Sequence, residues 1–201
     1  MNEQIGPYCY TQNSVRLTSD TVTLARHIRL CRGDRVCDLG CGAGALLLLL
    51  LAREPSLCLQ GVELLECVCA DARRNMAQNG LEIPVACADW SAFARENRER
   101  FDAVVSNPPY FDCGRGSASP EPIRACARTG DSGRLASLCG AAHALLVYGG
   151  RFTLCYPAAG LVDLFTCLRA SGMEPKRLAL HGKLACVEAK KGGKPGLEVI
   201  S

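Results

Sequence analysis

The sequence predicts an α/β fold with a mostly parallel sheet that helices cover on both faces. Short apolar runs alternate with helical segments along most of the 201 residues, which is typical of right-handed strand–helix–strand units. A glycine-rich turn follows the first apolar run of this series. No helix is predicted between the last two strands, so we expect one antiparallel strand near the C-terminus.

The first part of the chain, 1–31, is predicted to form a cap segment ahead of the sheet. A short hairpin is expected within it, around Tyr8–Tyr10 and Val15–Leu17. Thr18 and Asp20 then offer side-chain oxygens to the start of a helix that continues to about Cys31.

The core elements follow in order from apolar runs bounded by turn residues and from helical spacing of apolar residues. Seven strands are predicted at Arg35–Leu39, Leu57–Glu63, Ile83–Ala88, Phe101–Ser106, Phe152–Tyr156, Arg177–Leu180 and Ala185–Ala189. Helices are predicted at Gly44–Arg53, Glu66–Asn79, Ala92–Arg100, Ser132–Tyr148 and Leu161–Ser171. Gly80 is the expected C-cap of the second of these helices, and Gly149 and Gly150 are expected to end the fourth.

Length and composition predict one domain over 1–201, with a long loop at 108–130 and a loose tail at 190–201. A chain of 201 residues can bury one sizeable core. The longest apolar run, Ala43–Ala52, is too short to cross a bilayer and suits a helix buried against a sheet. A formal net charge of +3 identifies no partner.

The 14 cysteines contain no C-x-x-C pair, which favours free thiols over disulfides or zinc ligands. We therefore expect no metal site. The N-terminal stretch MNEQIGPYCY has no secretory apolar segment, so a cytoplasmic location is expected. Most cysteines are predicted to be small core residues, among them Cys31, Cys37, Cys58, Cys87, Cys155 and Cys186.

Polar side chains close four successive predicted strands. They are Asp38, Glu63, Asp89 and Asn107. Ligands of parallel α/β sheets bind beyond the carboxyl ends of the strands. One acidic residue at a strand end is usually a helix cap, but four polar residues in series predict a binding crevice.

The turn "DLGCGAGA" carries Gly40 and Gly42 in a G-x-G-x-x-G/A pattern that is common among dinucleotide sites. Asp38, two residues earlier, would repel a pyrophosphate and attract a cation. This favours S-adenosylmethionine over a nicotinamide cofactor. Asp38 suits the positive methionyl end, Glu63 the ribose hydroxyls, and Asp89 the adenine amino group.

These motifs, followed by N-P-P-Y at 107–110, resemble the class I S-adenosylmethionine-dependent methyltransferases, which have a Rossmann-like fold. Within their N-P-P-Y branch the chain is similar to the bacterial tRNA(Val) adenine-N6 methyltransferase family. The supporting stretches are RLTSDTVTLARHI, PIRACARTGDS and ACVEAKKGG, and the resemblance covers about 15–190. It implies methylation of an exocyclic nucleobase amine, adenine N6 in tRNA. The family continues beyond the last stretch, so a shortened closing segment is expected.

The stretch "DAVVSNPPYFD" ends a buried strand at two prolines, which cannot continue a strand ladder. We expect this rigid turn to aim the Asn107 amide oxygen and the Pro108 carbonyl at the two N–H groups of the target amine. Pro109 fixes the turn, and Tyr110 stacks on the base. Asn107 also belongs to the expected cofactor residues.

Three further expectations concern less specific positions. Thr18 caps its helix, and the resemblance implies that its segment also closes over the methionine end of the cofactor. Trp90 covers the adenine or packs in the core. Basic side chains in two stretches are predicted to contact RNA phosphates, namely Arg115, Arg124, Arg128 and Arg134, and Lys176, Arg177, Lys183, Lys190, Lys191 and Lys194.

Several other functions remain open on the sequence. N-P-P-Y also suits protein glutamine-N5, ribosomal RNA guanine-N2 and DNA adenine-N6 methylation. A short N-terminal segment argues against the glutamine enzymes, which carry a sizeable helical domain there. A non-catalytic binding module and a nicotinamide-dependent oxidoreductase are disfavoured, because neither explains Asp38 together with N-P-P-Y.

Overall fold

The computed structural model of the protein describes residues 2–108 and 131–200. Its strands are β1 (Asn2–Ile5), β2 (Tyr8–Thr11), β3 (Arg35–Leu39), β4 (Cys58–Glu63), β5 (Val85–Cys87), β6 (Phe101–Ser106), β7 (Leu146–Pro157), β8 (Met173–His181), β9 (Leu184–Lys191) and β10 (Glu198–Ile200). Its helices are α1 (Ser19–His27), α2 (Ala45–Arg53), α3 (Glu66–Ala77), α4 (Trp90–Glu96), α5 (Asp131–Leu145) and α6 (Leu161–Ala170), with a 3₁₀ turn at Ala158–Gly160.

The main sheet confirms the predicted α/β fold. Its strand order is β10-β8-β9-β7-β6-β3-β4-β5. β9 runs antiparallel to β7 and β8, and the other neighbouring pairs are parallel. The chain leaves β3 towards β4 and β5, then returns to place β6 on the other side of β3. The topology therefore reverses beside β3, where a ligand crevice is expected.

Helices cover both faces of this sheet. One apolar cluster joins the N-terminal hairpin and residues of α1, α2 and α3 to one face, and the other joins α4, α5 and α6 to the opposite face. Successive side chains of a strand point to opposite faces of the sheet. Val36 of β3 therefore belongs to the first cluster and Cys37 to the second. The leucine-rich helix α2 is buried as expected.

The N-terminal hairpin differs from the prediction. β1 pairs with β2 as Asn2↔Thr11 through Ile5↔Tyr8, so Val15–Leu17 is not a strand of it. Gly6, with φ of 56°, supplies the left-handed position that a tight turn before Pro7 requires. The turn chemistry of Gly6 and Pro7 therefore decided the pairing.

Two glycines expected to follow a helix lie inside a strand instead. α5 ends at Leu145, and β7 starts at the next residue and continues through Gly149 and Gly150. The ladder between β6 and β7 shifts register at this point. A Cβ on Gly150 would lie 3.2 Å from the carbonyl oxygen of Asp102, so glycine permits close packing at this irregularity.

The bounds of two helices and the structure of the predicted tail also differ from the prediction. α1 ends at His27, and the Arg53 guanidinium donates to the Ile28 carbonyl at 3.1 Å just beyond it. α4 begins at Trp90 because the Asp89 side chain caps it. In the predicted tail, β10 pairs in parallel with β8 and becomes an eighth strand of the sheet.

The cysteines divide between core and surface. Cys37, Cys155 and Cys186 are buried as predicted, whereas Cys31, Cys58 and Cys87 are exposed. Cys58 begins β4 and Cys87 ends β5, whereas Cys31 lies in the connection between α1 and β3. Within the described ranges, no helix has the length and apolarity needed to cross a membrane.

Candidate functional site

The carboxyl edge of the parallel strands gathers the predicted polar residues. Asp38 is the penultimate residue of β3, Glu63 ends β4, Asp89 follows β5, and Asn107 follows β6. Asp38 and Asn107 line one crevice together with the turn glycines Gly40 and Gly42. Glu63 reaches the same turn, and Asp89 lies further along the edge.

The turn after β3 has the backbone that its glycines permit. Gly40 and Gly42 have φ of 74° and 55°, values that side chains with a Cβ rarely adopt. The N–H groups of Gly40 and Cys41 both donate to the Val62 carbonyl, at 2.8 and 3.0 Å. The turn is therefore fixed to the end of β4 and brings Gly42 towards Glu63.

Asp38 is a buried carboxyl group. It is 1% exposed, and its Oδ2 has no hydrogen-bond partner among the residues that the structure describes. Burial, and secondarily the charge of Glu63, raise the pKa of Asp38 to about 8. An oxygen in this state favours a proton or a cation as its partner.

Glu63 is held in place by backbone donors. Its Oε2 accepts the N–H of Gly42 at 3.1 Å, and its Oε1 accepts those of Leu64 at 2.8 Å and Leu65 at 3.0 Å. A carboxylate offers about four acceptor positions, so these three bonds orient Glu63 and leave capacity for a hydroxyl donor.

Asp89 is exposed and caps α4. Its Oδ1 accepts the N–H groups of Ser91 and Ala92, at 2.9 and 3.1 Å. Trp90, the next residue, donates its indole N–H to Ser137 Oγ at 2.9 Å, and the Arg134 guanidinium lies 5.6 Å from its ring centroid. These contacts join Trp90 to α5, which supports the packing role considered for it.

A threonine pair orients Asn107. Its Nδ2 donates to Thr21 Oγ1 at 2.9 Å, and Thr21 Oγ1 lies 2.9 Å from Thr18 Oγ1. Thr18 caps α1 by accepting the Thr21 N–H. Thr18 is therefore linked to Asn107 through Thr21, which lines the crevice. With the amide nitrogen engaged, the amide oxygen is the group suited to accept from a target amine.

Sequence reasoning missed a contribution from the N-terminal segment. Tyr10, Val15 and Arg16 line the crevice with Asp38. The Tyr10 hydroxyl donates to the Val15 carbonyl at 2.8 Å. A Cβ on Gly42 would lie 3.4 Å from Val15 Cγ1, so the segment covers the glycine turn closely.

Polar residues of α3 hold this segment. Asn75 Oδ1 accepts the Thr11 N–H at 2.9 Å, and Asp71 Oδ2 accepts the Ser14 N–H at 3.1 Å. Both carboxamide and carboxylate are buried. Their spacing of four residues on an otherwise apolar helix face was the signal that could have predicted a packed segment here.

The N-P-P-Y motif is described only in part. Pro108 is buried directly after Asn107, and Pro109 and Tyr110 lie outside the described residues, as do Arg115, Arg124 and Arg128. Ser106 Oγ donates to the Leu39 carbonyl at 2.7 Å. This bond joins the ends of β6 and β3, and so fixes the start of the motif beside Asp38.

The lysine-rich C-terminal stretch does not lie at the crevice. Lys190 pairs with Arg151 near the start of the parallel run of β7, at the opposite edge of the sheet. Lys191 is buried and donates to Glu99 at 3.0 Å and to the Leu146 carbonyl at 2.7 Å. The prediction that Lys191 contacts phosphate is therefore wrong. Lys183, in the turn between β8 and β9, is exposed at the carboxyl edge.

Comparisons with known proteins identify the family. The model of the methyltransferase small domain family matches residues 12–120. A relative from Enterobacter sp. (strain 638), named tRNA1(Val) (adenine(37)-N6)-methyltransferase, is 34% identical over 151 residues, which cover 72% of this chain and 59% of the relative. Ribosomal RNA small subunit methyltransferase C of Shewanella loihica is 35% identical over 97 residues, covering 48% and 27%.

Solved structures agree on the fold. A predicted O-methyltransferase from Agrobacterium tumefaciens superposes with a TM-score of 0.67 at 24% identity, covering 90% of this chain and 84% of that one. The chain spans less than two thirds of the length of the two relatives from Enterobacter and Shewanella.

Proposed function

The chain belongs to the methyltransferase small domain family, and on that premise we propose that it methylates an exocyclic nucleobase amine, adenine N6 of a tRNA, with S-adenosylmethionine as methyl donor. One observation carries the proposal. A carboxyl oxygen of Asp38 that has no hydrogen-bond partner among the described residues shares one crevice with the amide of Asn107, which Thr21 orients, at the carboxyl edge of the sheet. A carboxyl group suited to a cation and an amide oxygen suited to an amine therefore line the same crevice.

The residues of the crevice fit the charges of this cofactor. S-adenosylmethionine supplies a methyl group bound to a positively charged sulfur. Asp38 would accept its ammonium group, because a buried carboxylate is stabilised by an adjacent cation. Arg16, which lines the same crevice, would pair with its carboxylate. Glu63, held by three N–H groups, would accept the ribose hydroxyls.

Asn107 would position the target amine. The amide oxygen of Asn107 and the Pro108 carbonyl would accept its two N–H groups and stabilise the positive charge that develops on nitrogen. Thr21 would keep the amide in the orientation that this requires. Tyr110 would stack on the base, and Asp89 would accept from the adenine amino group of the cofactor.

The RNA would approach the carboxyl edge of the sheet. Lys183 is exposed there, whereas Lys190 is exposed at the far edge. Arg134, beside Trp90 at the start of α5, adds a cation on the near side. A phosphate contact at Lys183 would contribute about 0.7–0.9 to the salt slope of binding.

The proposal is tested by methyl transfer to unmodified tRNA and to ribosomal RNA, followed by analysis of the methylated nucleoside. We expect N6-methyladenosine in tRNA. Asn107→Ala should lower kcat by about 10²- to 10³-fold, because one preorganised group is lost from the reacting centre, and should leave binding of S-adenosylhomocysteine nearly unchanged.

Matched variants separate the parts of the proposal. Lys183→Ala should weaken tRNA binding and flatten its salt dependence, and Lys190→Ala should change neither. Methylguanosine in ribosomal RNA as the product would overturn the choice of adenine and tRNA. Turnover by Asn107→Ala at the wild-type rate would remove Asn107 from the mechanism.

A further inference from the structure

Three side chains that can ligate a metal converge outside the crevice. A carboxylate oxygen of Glu66 and the sulfurs of Cys69 and Cys87 all lie within 4.8 Å of one another. Glu66 and Cys69 are three residues apart in the first turns of α3, so they share a helix face. Cys87 ends β5, and it completes the group from the neighbouring strand.

The ligand types and their burial suit one class of ion. Thiolates select soft or borderline cations, and two sulfurs with one carboxylate match the preferences of Zn²⁺. With Zn–S bonds of about 2.3 Å, two sulfurs of a tetrahedral site lie about 3.8 Å apart. Cys69 is buried and Cys87 is exposed, which gives the site an enclosed inner ligand and an open side for entry.

We propose that Glu66, Cys69 and Cys87 form a binding site for a thiophilic divalent cation of the zinc class, with water as the fourth ligand. Each cysteine would release its proton to solvent on binding, and the ion would take two thiolates and one carboxylate. The sequence predicts no metal site because it lacks paired cysteine spacing. The pair arises here from the packing of α3 against β5.

Arg73 is the competing charge at this site. Its Nη1 donates to Glu66 Oε1 at 3.1 Å, and its Nε and Nη2 donate to the Val85 carbonyl at 3.2 and 3.0 Å. A cation must compete with this guanidinium for Glu66. Removing the positive charge of Arg73 should therefore strengthen binding of the ion. If Glu66 is not a ligand of the ion, this change should have no effect on the affinity.

The thiols now donate to two backbone carbonyls. Cys69 Sγ lies 3.3 Å from the Glu63 oxygen, and Cys87 Sγ lies 3.6 Å from the Leu64 oxygen. These are weak bonds, and each would be lost on deprotonation. The ion would thus lie beside the end of β4, outside the crevice of the proposed methyl transfer.

The test is titration of the full chain, reduced and freed of metal by a chelator, with Cd²⁺ and with Zn²⁺. Sulfur-to-cadmium absorption in the ultraviolet reports thiolate ligation, and competition with a chelating dye gives the Zn²⁺ affinity. We expect one tight ion per chain. Cys87→Ser should weaken it by more than about 100-fold, since even outer partners of a ligand are worth 10- to 100-fold.

Cys67→Ser is the matched control, because Cys67 is exposed on the same helix and outside the group. It should leave the affinity unchanged, and Arg73→Gln should raise it. Glu66→Gln changes an exposed side chain and so tests the site without disturbing the core around Cys69. Wild-type affinity in Cys87→Ser and Glu66→Gln, or an equal loss in Cys67→Ser, would overturn the proposal.

Discussion

Binding of a cationic ligand in the crevice should release a proton from Asp38. Its pKa of about 8 in the unliganded protein means that the carboxyl group is mostly protonated at pH 7. An ammonium group beside it favours the ionised form. S-adenosylhomocysteine carries that ammonium group, so its binding should release a proton whose amount depends on pH.

The number of protons released per bound ligand follows from the pKa of Asp38. A group with a pKa of about 8 is about 0.9 protonated at pH 7 and about 0.5 protonated at pH 8, so binding should release about 0.9 and about 0.5 proton per ligand. Affinity should rise with pH over the same interval. Without ligand, the raised pKa of Asp38 stabilises the fold fully below about pH 4, and this contribution is lost as the pH rises through about 8.

Calorimetric titration in buffers of different ionisation enthalpy measures the released protons directly. Asp38→Asn keeps the size of the side chain and removes the titrating group, so its binding enthalpy should not depend on the buffer. Wild-type binding without proton release at pH 7 would contradict the proposed role of Asp38, as would equal release in Asp38→Asn.

Two further predictions concern residues that the structure brought into view. Thr21→Val removes the oxygen that holds the Asn107 amide. Loss of one hydrogen bond worth about 1.4 kcal/mol should lower kcat about tenfold. An unchanged kcat would show that other contacts orient Asn107. Lys191→Met removes the ammonium group that donates to the buried Leu146 carbonyl and to Glu99, and should destabilise the fold by about 1–3 kcal/mol in urea denaturation. Lys190→Met should stay within about 0.5 kcal/mol.

The sequence predicted the main sheet and its polar edge because these depend on local patterns. Asp38, Glu63 and Asn107 each follow or end an apolar run, and their meeting at one edge could be predicted because the carboxyl ends of parallel strands lie together. The tight turn after β3 could be predicted because its glycines adopt positive φ values readily. The prediction that Gly149 and Gly150 end a helix was wrong for the same reason, because a glycine pair is equally suited to a helix end and to an irregularity in a strand.

The remaining parts of the site depend on tertiary contacts that no local pattern encodes. Arg16 and Thr21 reach the crevice because side chains of α3 and the Asn107 amide hold their segments. Lys191 resembles its exposed neighbour Lys190 in the sequence, and only the tertiary contacts of its ammonium group with Glu99 and the Leu146 carbonyl distinguish the two. Charge counts along the chain cannot make this distinction.

The backbone of the N-terminal segment is hydrogen-bonded to side chains of α3 and of the turn that follows it, while Ile5 and Tyr10 pack in the apolar core. The N–H groups of Cys9 and Thr11 donate to Asn79 and Asn75. Such bonds can break by local opening, at a fraction of the free energy of global unfolding. In hydrogen-exchange experiments the amides of Cys9 and Thr11 should lose protection before those of β3. Because Val15 covers the glycine turn, the rate at which this segment opens would limit how fast a ligand enters and leaves the crevice.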